Sequence, residues 1–243
     1  MNLYPWRKFV IPPLVVAIWV FGAGIGIRLL FRYSYTVGTP ATPPQTWPSG
    51  SEISRSDRSR LILFVHPQCP CSQATMGELG IIMARCQKHA DAYVYFYSPH
   101  SMMQEWKTSD LRRDAARIPG VKTLEDVDGR ESRRFGAATS GQALLYGSGG
   151  DLLFKGGITI SRGHSASNNG RDAVVDILED RLPRQRTASV FGCSLSGPEE
   201  RGKLTAFLHS TRVGTSIREY RARPIPVAAT GFRHETVRTE VRL

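Results

Sequence analysis

Two cysteines separated by a single residue are the side chains of this 243-residue sequence best suited to chemistry. Cys69 and Cys71 flank Pro70 in the stretch FVHPQCPCS, residues 64–72, where an apolar run ends and a helical pattern begins. Unpaired backbone N–H groups and the helix dipole favour negative charge at a helix start, so thiols placed there ionise more readily. Thiolates attack disulfides and bind soft metal ions. The pair therefore predicts redox chemistry or metal binding.

Three uses of these thiols remain open. In the first use, thiol–disulfide exchange, Cys69 is the nucleophile and Cys71 is the resolving thiol, and no cofactor is needed. A disulfide between Cys69 and Cys71 would close a small ring, so we expect it to be strained and readily reduced. In the second use, Cys69 and Cys71 bind copper as Cu(I), with His164 or Cys193 as a further ligand. In the third, Cys69 reduces a peroxide. We favour exchange with a redox partner protein or a protein disulfide, and keep copper binding or delivery as the alternative.

Two distant residues are candidates for the same site. His164 follows a predicted hairpin, in an Arg-Gly-His loop that is also typical of a solvated surface histidine. Cys193 follows the last predicted helix and either returns to Cys69 as a resolving thiol or third ligand, or is a free or packed cysteine. Cys86 lies on the apolar face of the first domain helix, which predicts a core position.

The elements that position these residues follow from hydrophobic periodicity. Residues 61–66 form a continuous apolar run, which predicts a buried central strand, and a helix is predicted over 72–88. Strands are predicted at 92–97 and 121–123, with a helix at 109–116 between them and a helical piece before Gly136. Apolar runs at 143–146 and 152–155, separated by Gly-Ser-Gly-Gly-Asp, predict a hairpin, and an amphipathic helix follows over 170–182.

This order of elements resembles that of the thioredoxin superfamily. The stretch at 64–72 is similar to the redox turn of those proteins, and residues 126–137 (DVDGRESRRFGA) with the hairpin are similar to the redoxin branch. Together with TSG at 139–141 and GITISRGH at 157–164, the chain resembles the RedB-like group. The resemblance covers about residues 60–195. It implies an α/β thioredoxin-like fold, a central mixed sheet flanked by helices, with Cys69 at the position of the attacking thiol.

The sequence departs from that pattern at two places. Ser72 occupies the position of the usual resolving cysteine, and Thr139-Ser140-Gly141 lacks the proline that usually lies opposite the redox turn. The resemblance implies a substrate groove lined by Pro70, Ser72, Thr139 and Ser140. The missing proline puts ordinary dithiol exchange in question and favours the metal alternative.

The first 32 residues predict a transmembrane helix that anchors the chain. Residues 9–27 form an uncharged run that is long enough to span a membrane once. The small residues Gly22-Ala23-Gly24 loosely resemble a cleavage site, so a cleaved signal peptide is the second alternative. A buried helix of a soluble protein is the third. The short N-terminus favours a single-pass signal-anchor with the domain on the extracytoplasmic (periplasmic) side.

The chain is thereby divided into four parts: a membrane anchor (1–32), a Pro/Gly/Ser-rich linker (33–59) expected to hold the domain off the membrane, a thioredoxin-like domain (60–195), and a basic, disordered tail (196–243) in which a short helix is predicted over 197–208. The formal charge of +11 comes from scattered arginines with no basic stripe bearing aromatics. The sequence therefore predicts attraction to a membrane surface and no nucleic-acid partner.

Overall fold

The computed structural model describes residues 7–54, 56–100 and 109–195, without the side chains of residues 7–12. Its ten elements are α1 (Arg7–Ser34), β1 (Ser59–Val65), α2 (Ser72–Cys86), β2 (Ala90–Ser98), α3 (Asp110–Ala116), β3 (Val121–Val127), α4 (Arg130–Arg134), β4 (Gln142–Tyr146), β5 (Leu152–Gly156) and α5 (Asn169–Leu178).

Five strands form one mixed sheet in the order β3-β2-β1-β4-β5. The first three strands are parallel, whereas β4 is antiparallel to β1 and β5 is antiparallel to β4. Helices cross between the parallel strands, and the late hairpin completes the sheet. This is the mixed sheet flanked by helices predicted from the sequence, so the thioredoxin-like fold class is confirmed.

The central strand β1 is buried on both faces. Leu61, Leu63 and Val65 belong to the core beneath α2 and α5, whereas Ile62 and Phe64 belong to a second, aromatic core on the opposite face. Because side chains alternate along a strand, an unbroken apolar run requires cover on both sides of the sheet. No helix of the described residues lies over the whole of the aromatic face, so another part of the chain must cover it.

That cover comes from the segment predicted to be a linker. Trp47 is 7% exposed and packs edge-to-face against Phe135 and Tyr146, with both ring-centroid distances at 5.3 Å. Ile53 joins the same core. The guanidinium of buried Arg60 lies 4.7 Å from the centre of the Trp47 ring. The expectation of a spacer that holds the domain off the membrane is therefore wrong for this part of the segment, because its aromatic and aliphatic side chains complete the core.

Backbone hydrogen bonds fasten the same segment to the sheet edge. The Trp47 N–H donates to the Gly150 carbonyl at 2.7 Å, and the Gln45 carbonyl accepts from Leu152 N–H at 2.8 Å. The Tyr146 hydroxyl donates to the Pro44 carbonyl at 3.0 Å. Prolines and glycines indicate an irregular backbone, but a segment with an irregular backbone can still pack against the sheet. The sequence analysis did not predict this packing.

The N-terminal helix contains a 22-residue candidate membrane span, Pro13–Ser34, within which an 18-residue window reaches a mean hydropathy of 2.2 and is not buried against the protein. By length and composition it is able to cross a membrane. The final helix α5 ends at Leu178, four residues earlier than predicted. The predicted tail and its short helix lie outside the described residues.

Trp47→Ala tests the docking of residues 41–53. Truncating a buried aromatic residue costs about 3–5 kcal/mol, so we expect the free energy of unfolding to fall by about 3 kcal/mol in urea titrations of the full chain. Thr46→Ala, at the neighbouring position, is the matched control and should change it by less than about 0.5 kcal/mol. Equal and small effects of both substitutions would contradict the docking.

Candidate functional site

The two neighbouring thiols lie in a tight turn between β1 and α2. The Cys69 N–H donates to the His66 carbonyl, and the Ser72 N–H donates to the Cys69 carbonyl, each at 3.0 Å. Helix α2 begins at Ser72, with Cys71 as the N-cap residue. The predicted placement of both thiols at a helix start is therefore found. Cys69 and Cys71 are 4% and 5% exposed, so the site is covered.

A third thiol completes a cluster. The Sγ atoms of Cys69, Cys71 and Cys193 all lie within 4.8 Å of one another. All three cysteines are free thiols in the structure. Of the two distant candidates, the structure brings Cys193 to the redox turn and leaves His164 outside the cluster.

Cys193 is delivered by an extended segment, residues 190–195, which we call the strap. The Ser140 N–H donates to the Cys193 carbonyl at 2.8 Å, and the Leu195 N–H donates to the Ala138 carbonyl at 3.0 Å. Thr139 and Ser194 form an antiparallel bridge. The strap thus pairs like a short strand with the loop where thioredoxin-like proteins usually have a proline.

Close approach of the strap depends on Gly192. A Cβ at this position would lie 1.9 Å from the Ser140 carbonyl oxygen, closer than any contact between non-bonded atoms allows. A glycine directly before Cys193 therefore lets the two backbones meet. The apolar-Gly-Cys pattern was visible in the sequence, but its partner loop was not.

Ser140 links the strap to the redox turn through its hydroxyl as well. The His66 N–H donates to Ser140 Oγ at 2.8 Å, and Ser140 Oγ lies 2.8 Å from Ser72 Oγ. A hydrogen bond from the Ser72 side chain is among the causes that lower the pKa of Cys69. With its one proton directed at that sulfur, the Ser72 hydroxyl accepts from Ser140. The result is a relay in which Ser140 orients Ser72 and Ser72 stabilises a thiolate at Cys69.

The environment lowers the pKa of Cys69. Burial alone would raise it, but donors around the sulfur outweigh burial: the Cys193 backbone N–H, the Ser72 hydroxyl, the Cys193 thiol and the Cys71 backbone N–H. Hydrogen bonds to the charged form favour that form. Cys69 is therefore the member of the cluster that is stabilised as a thiolate.

The other two thiols are held protonated. Burial, followed by repulsion from the Cys69 thiolate, raises the pKa of Cys71. Burial and the hydrogen bond to Cys69 raise the pKa of Cys193 to about 12. The cluster therefore carries one negative charge, on the Cys69 thiolate, beside two protonated thiols.

Neither His66 nor His164 joins the thiol cluster. Burial lowers the pKa of His66, and its Nδ1 accepts from the Gln68 N–H at 3.2 Å, so the ring is neutral at pH 7. Exposed His164 turns Nδ1 toward the Arg162 carbonyl, 2.7 Å away. A carbonyl only accepts, so that nitrogen carries the proton.

The residues expected to line a substrate groove lie mostly inside the protein. Ser72, Thr139 and Ser140 are each 1% exposed, and Thr139 Oγ1 donates to the Thr39 carbonyl at 2.9 Å. Pro70 is exposed. With the strap paired to residues 138–140, an open groove along that loop is not found in this structure. A role of these residues in substrate binding stays a prediction.

Cys86 is fully buried in the core beneath α2, as its place on the apolar face predicts. It belongs to no thiol cluster of the described residues, and burial raises its pKa. It therefore serves as an internal reference for an unreactive cysteine.

Comparisons with known proteins give similarity at low identity. No protein-family model and no curated protein matches the chain. An uncharacterized conserved protein from Geobacillus kaustophilus is 18% identical with a TM-score of 0.49, covering 68% of this chain and 94% of its own. A hypothetical protein from Sinorhizobium meliloti 1021 is 18% identical with a TM-score of 0.47, covering 67% and 94%. A secreted Mycobacterium tuberculosis disulfide oxidoreductase homologous to E. coli DsbE is 16% identical with a TM-score of 0.35, covering 51% and 83%. The fold assignment rests on the strand order and directions of the sheet.

Ser72→Ala tests the relay. Removing a donor to the thiolate raises the pKa of Cys69, so the curve of Cys69 alkylation rate against pH should move to higher pH. A hydrogen bond to a charged group is worth about 1.5 kcal/mol or more, which corresponds to about tenfold slower iodoacetamide alkylation at pH 7. Ser132→Ala, another buried serine whose hydroxyl bonds a backbone carbonyl, is the control. An unmoved curve in Ser72→Ala would contradict the relay.

Proposed function

We propose that this protein catalyses thiol–disulfide exchange, with the Cys69 thiolate as nucleophile and a protein disulfide or redox partner protein as substrate. The observation that carries the proposal is the thiol cluster at the start of α2: two further thiols lie within 4.8 Å of the Cys69 sulfur, and the surrounding donors lower the pKa of Cys69 alone. Exchange needs one thiolate to attack and one thiol to resolve. The cluster supplies both, and it requires no cofactor.

The reaction takes two steps. The Cys69 thiolate attacks one sulfur of the partner disulfide, forms a mixed disulfide and releases the other partner sulfur as a thiolate, which takes up a proton. A second thiol of this chain then loses its proton and attacks Cys69, which releases the remaining partner sulfur. The partner is reduced by two electrons and this chain is oxidised by two. Cys71, named from the sequence, is one resolving thiol in reach, and Cys193 is the other.

We also propose that the protein works as a single-pass membrane protein, anchored by α1 with its domain on the extracytoplasmic side. The proposal is supported by the length and apolar composition of this helix, whose exposed side chains lipid would cover. Its end is tied to the domain: the Arg162 N–H donates to the Ser34 carbonyl at 3.0 Å and Arg162 Nε donates to the Thr36 carbonyl at 3.1 Å. The thiols then stay near the membrane surface.

We further propose that the protein belongs to the RedB-like group, on the basis of the sequence motifs quoted above. We expect no nucleic acid as a partner.

Cys69→Ser tests the exchange. Because a serine hydroxyl is not a thiolate nucleophile, reduction of insulin or of a model protein disulfide should fall to the uncatalysed rate. Cys86→Ser is the matched control, since it also removes a buried thiol, and it should leave the rate within about twofold. Unchanged turnover in Cys69→Ser would overturn the proposed reaction.

Copper binding or delivery is the second candidate function, because three sulfurs within 4.8 Å form a donor set of the type that Cu(I) prefers. Under this alternative Cys69, Cys71 and Cys193 bind the ion. His164, named from the sequence as a possible ligand, lies outside that set.

An anaerobic Cu(I) titration of the reduced full chain tests this alternative. We expect one ion per chain, with the tight site lost in Cys71→Ala and in Cys193→Ala because each removes one of three soft donors. His164→Ala is the control and should bind as tightly as the natural sequence. Weak, non-stoichiometric binding by the natural sequence would exclude the copper function.

A further inference from the structure

We propose that Cys193, rather than Cys71, is the resolving thiol, and that the oxidised protein carries a Cys69–Cys193 disulfide that pins the strap over the redox turn. This inference rests on the proposed exchange function and assigns its second thiol.

The strap holds Cys193 in place from both sides. Before it, the Gly38 N–H donates to the Val190 carbonyl at 2.9 Å; after it, Leu195 is buried in the aromatic core. At Cys193 itself the carbonyl accepts from Ser140. Ordering of the backbone on both sides means that the thiol reaches Cys69 without a rearrangement of the fold.

The same strap aims Cys193 at the reacting sulfur. Both the backbone N–H and the thiol of Cys193 donate to Cys69. The Sγ atoms of Cys69 and Cys193 lie within 4.8 Å of each other, so the bond forms between sulfurs that are already neighbours.

Cys71 meets a constraint that Cys193 does not. A bond from Cys69 to Cys71 would close a small ring through Pro70, and Cys71 already has helical backbone angles, φ −66° and ψ −24°. The turn is further held by the hydrogen bond from the Ser72 N–H to the Cys69 carbonyl. Deviations from relaxed disulfide geometry store strain and make the bond easier to reduce. Cys193 lies on a separate segment, so its bond to Cys69 avoids the small ring.

In the resolving step, Cys193 loses its proton to solvent or to the departing partner sulfur, and its thiolate attacks Cys69 Sγ of the mixed disulfide. The Cys69–Cys193 bond forms as the bond from Cys69 to the partner breaks. The partner leaves as a thiol, and Cys71 remains reduced. Until a reductant thiol opens the new bond, the strap is covalently attached to the turn.

Peptide mapping of the full chain distinguishes the two resolving thiols. Trypsin places Cys69 and Cys71 together in peptide 61–85, Cys86 in 86–88, and Cys193 in 187–201. The reduced chain, in detergent, is oxidised with glutathione disulfide, quenched in acid, alkylated with N-ethylmaleimide and digested. We expect peptide 61–85 to be joined to 187–201, with the alkyl group on Cys71, and peptide 86–88 to be alkylated.

The other outcomes have distinct meanings. A loop within peptide 61–85 with Cys193 alkylated would overturn the proposal and restore Cys71, while exchange itself would stand. A persistent glutathione adduct on Cys69 without an internal disulfide would overturn the assignment of any resolving thiol. If all four cysteines were alkylated, the proposed exchange function would fail.

Variants provide the second readout. Cys193→Ser should lose the joined peptides and accumulate the Cys69–glutathione adduct, whereas Cys71→Ser should keep the joined peptides at the level of the natural sequence. Cys86→Ser controls for loss of a thiol elsewhere. The opposite pattern, with the adduct accumulating only in Cys71→Ser, would overturn the proposal. The mapping of the natural sequence does not depend on whether any variant folds.

Discussion

Ser140 is the residue through which the three thiols are held together. Its backbone N–H holds the strap by the Cys193 carbonyl, and its hydroxyl joins the end of β1 to Ser72 at the start of α2. A single buried serine therefore bonds to two segments that are far apart in the chain. In a buried site, where an unmade hydrogen bond is costly, such a network holds one geometry. The low-pKa thiolate at Cys69 is a consequence of that geometry, since its donors come from both segments.

The loop at residues 138–140 also explains how this chain manages without a proline at that place. The loop's backbone groups would remain exposed to solvent or to a substrate, but the strap pairs with them instead. The chain thus places its own cysteine-bearing segment against this loop. That arrangement accounts for the deep burial of Cys69 and for the closed groove at Thr139 and Ser140.

The sequence predicted the parts of the site that local pattern determines. The apolar run of β1, the helix start at Ser72 and the core position of Cys86 are all set within a few residues, so periodicity and capping rules were sufficient. The position of Cys193 depends on pairing with residues 138–140, which no local pattern encodes, and it remained one of two open alternatives. The proposed approach of His164 was not found, because its loop turns toward the end of α1 instead. The hydroxyl relay was missed because Ser72 and Ser140 are unremarkable residues until the fold places them in contact.

The docking of residues 41–53 has a practical consequence for isolating the domain. A protein product that begins at Arg60 would contain every strand of the sheet and all three clustered thiols, yet it would lack Trp47 and Ile53. The aromatic face around Phe64 and Phe135 would then be open to water, and large exposed apolar patches promote aggregation. The shortest soluble form should therefore start before residue 36, so that the segment between α1 and the sheet is purified as part of the domain.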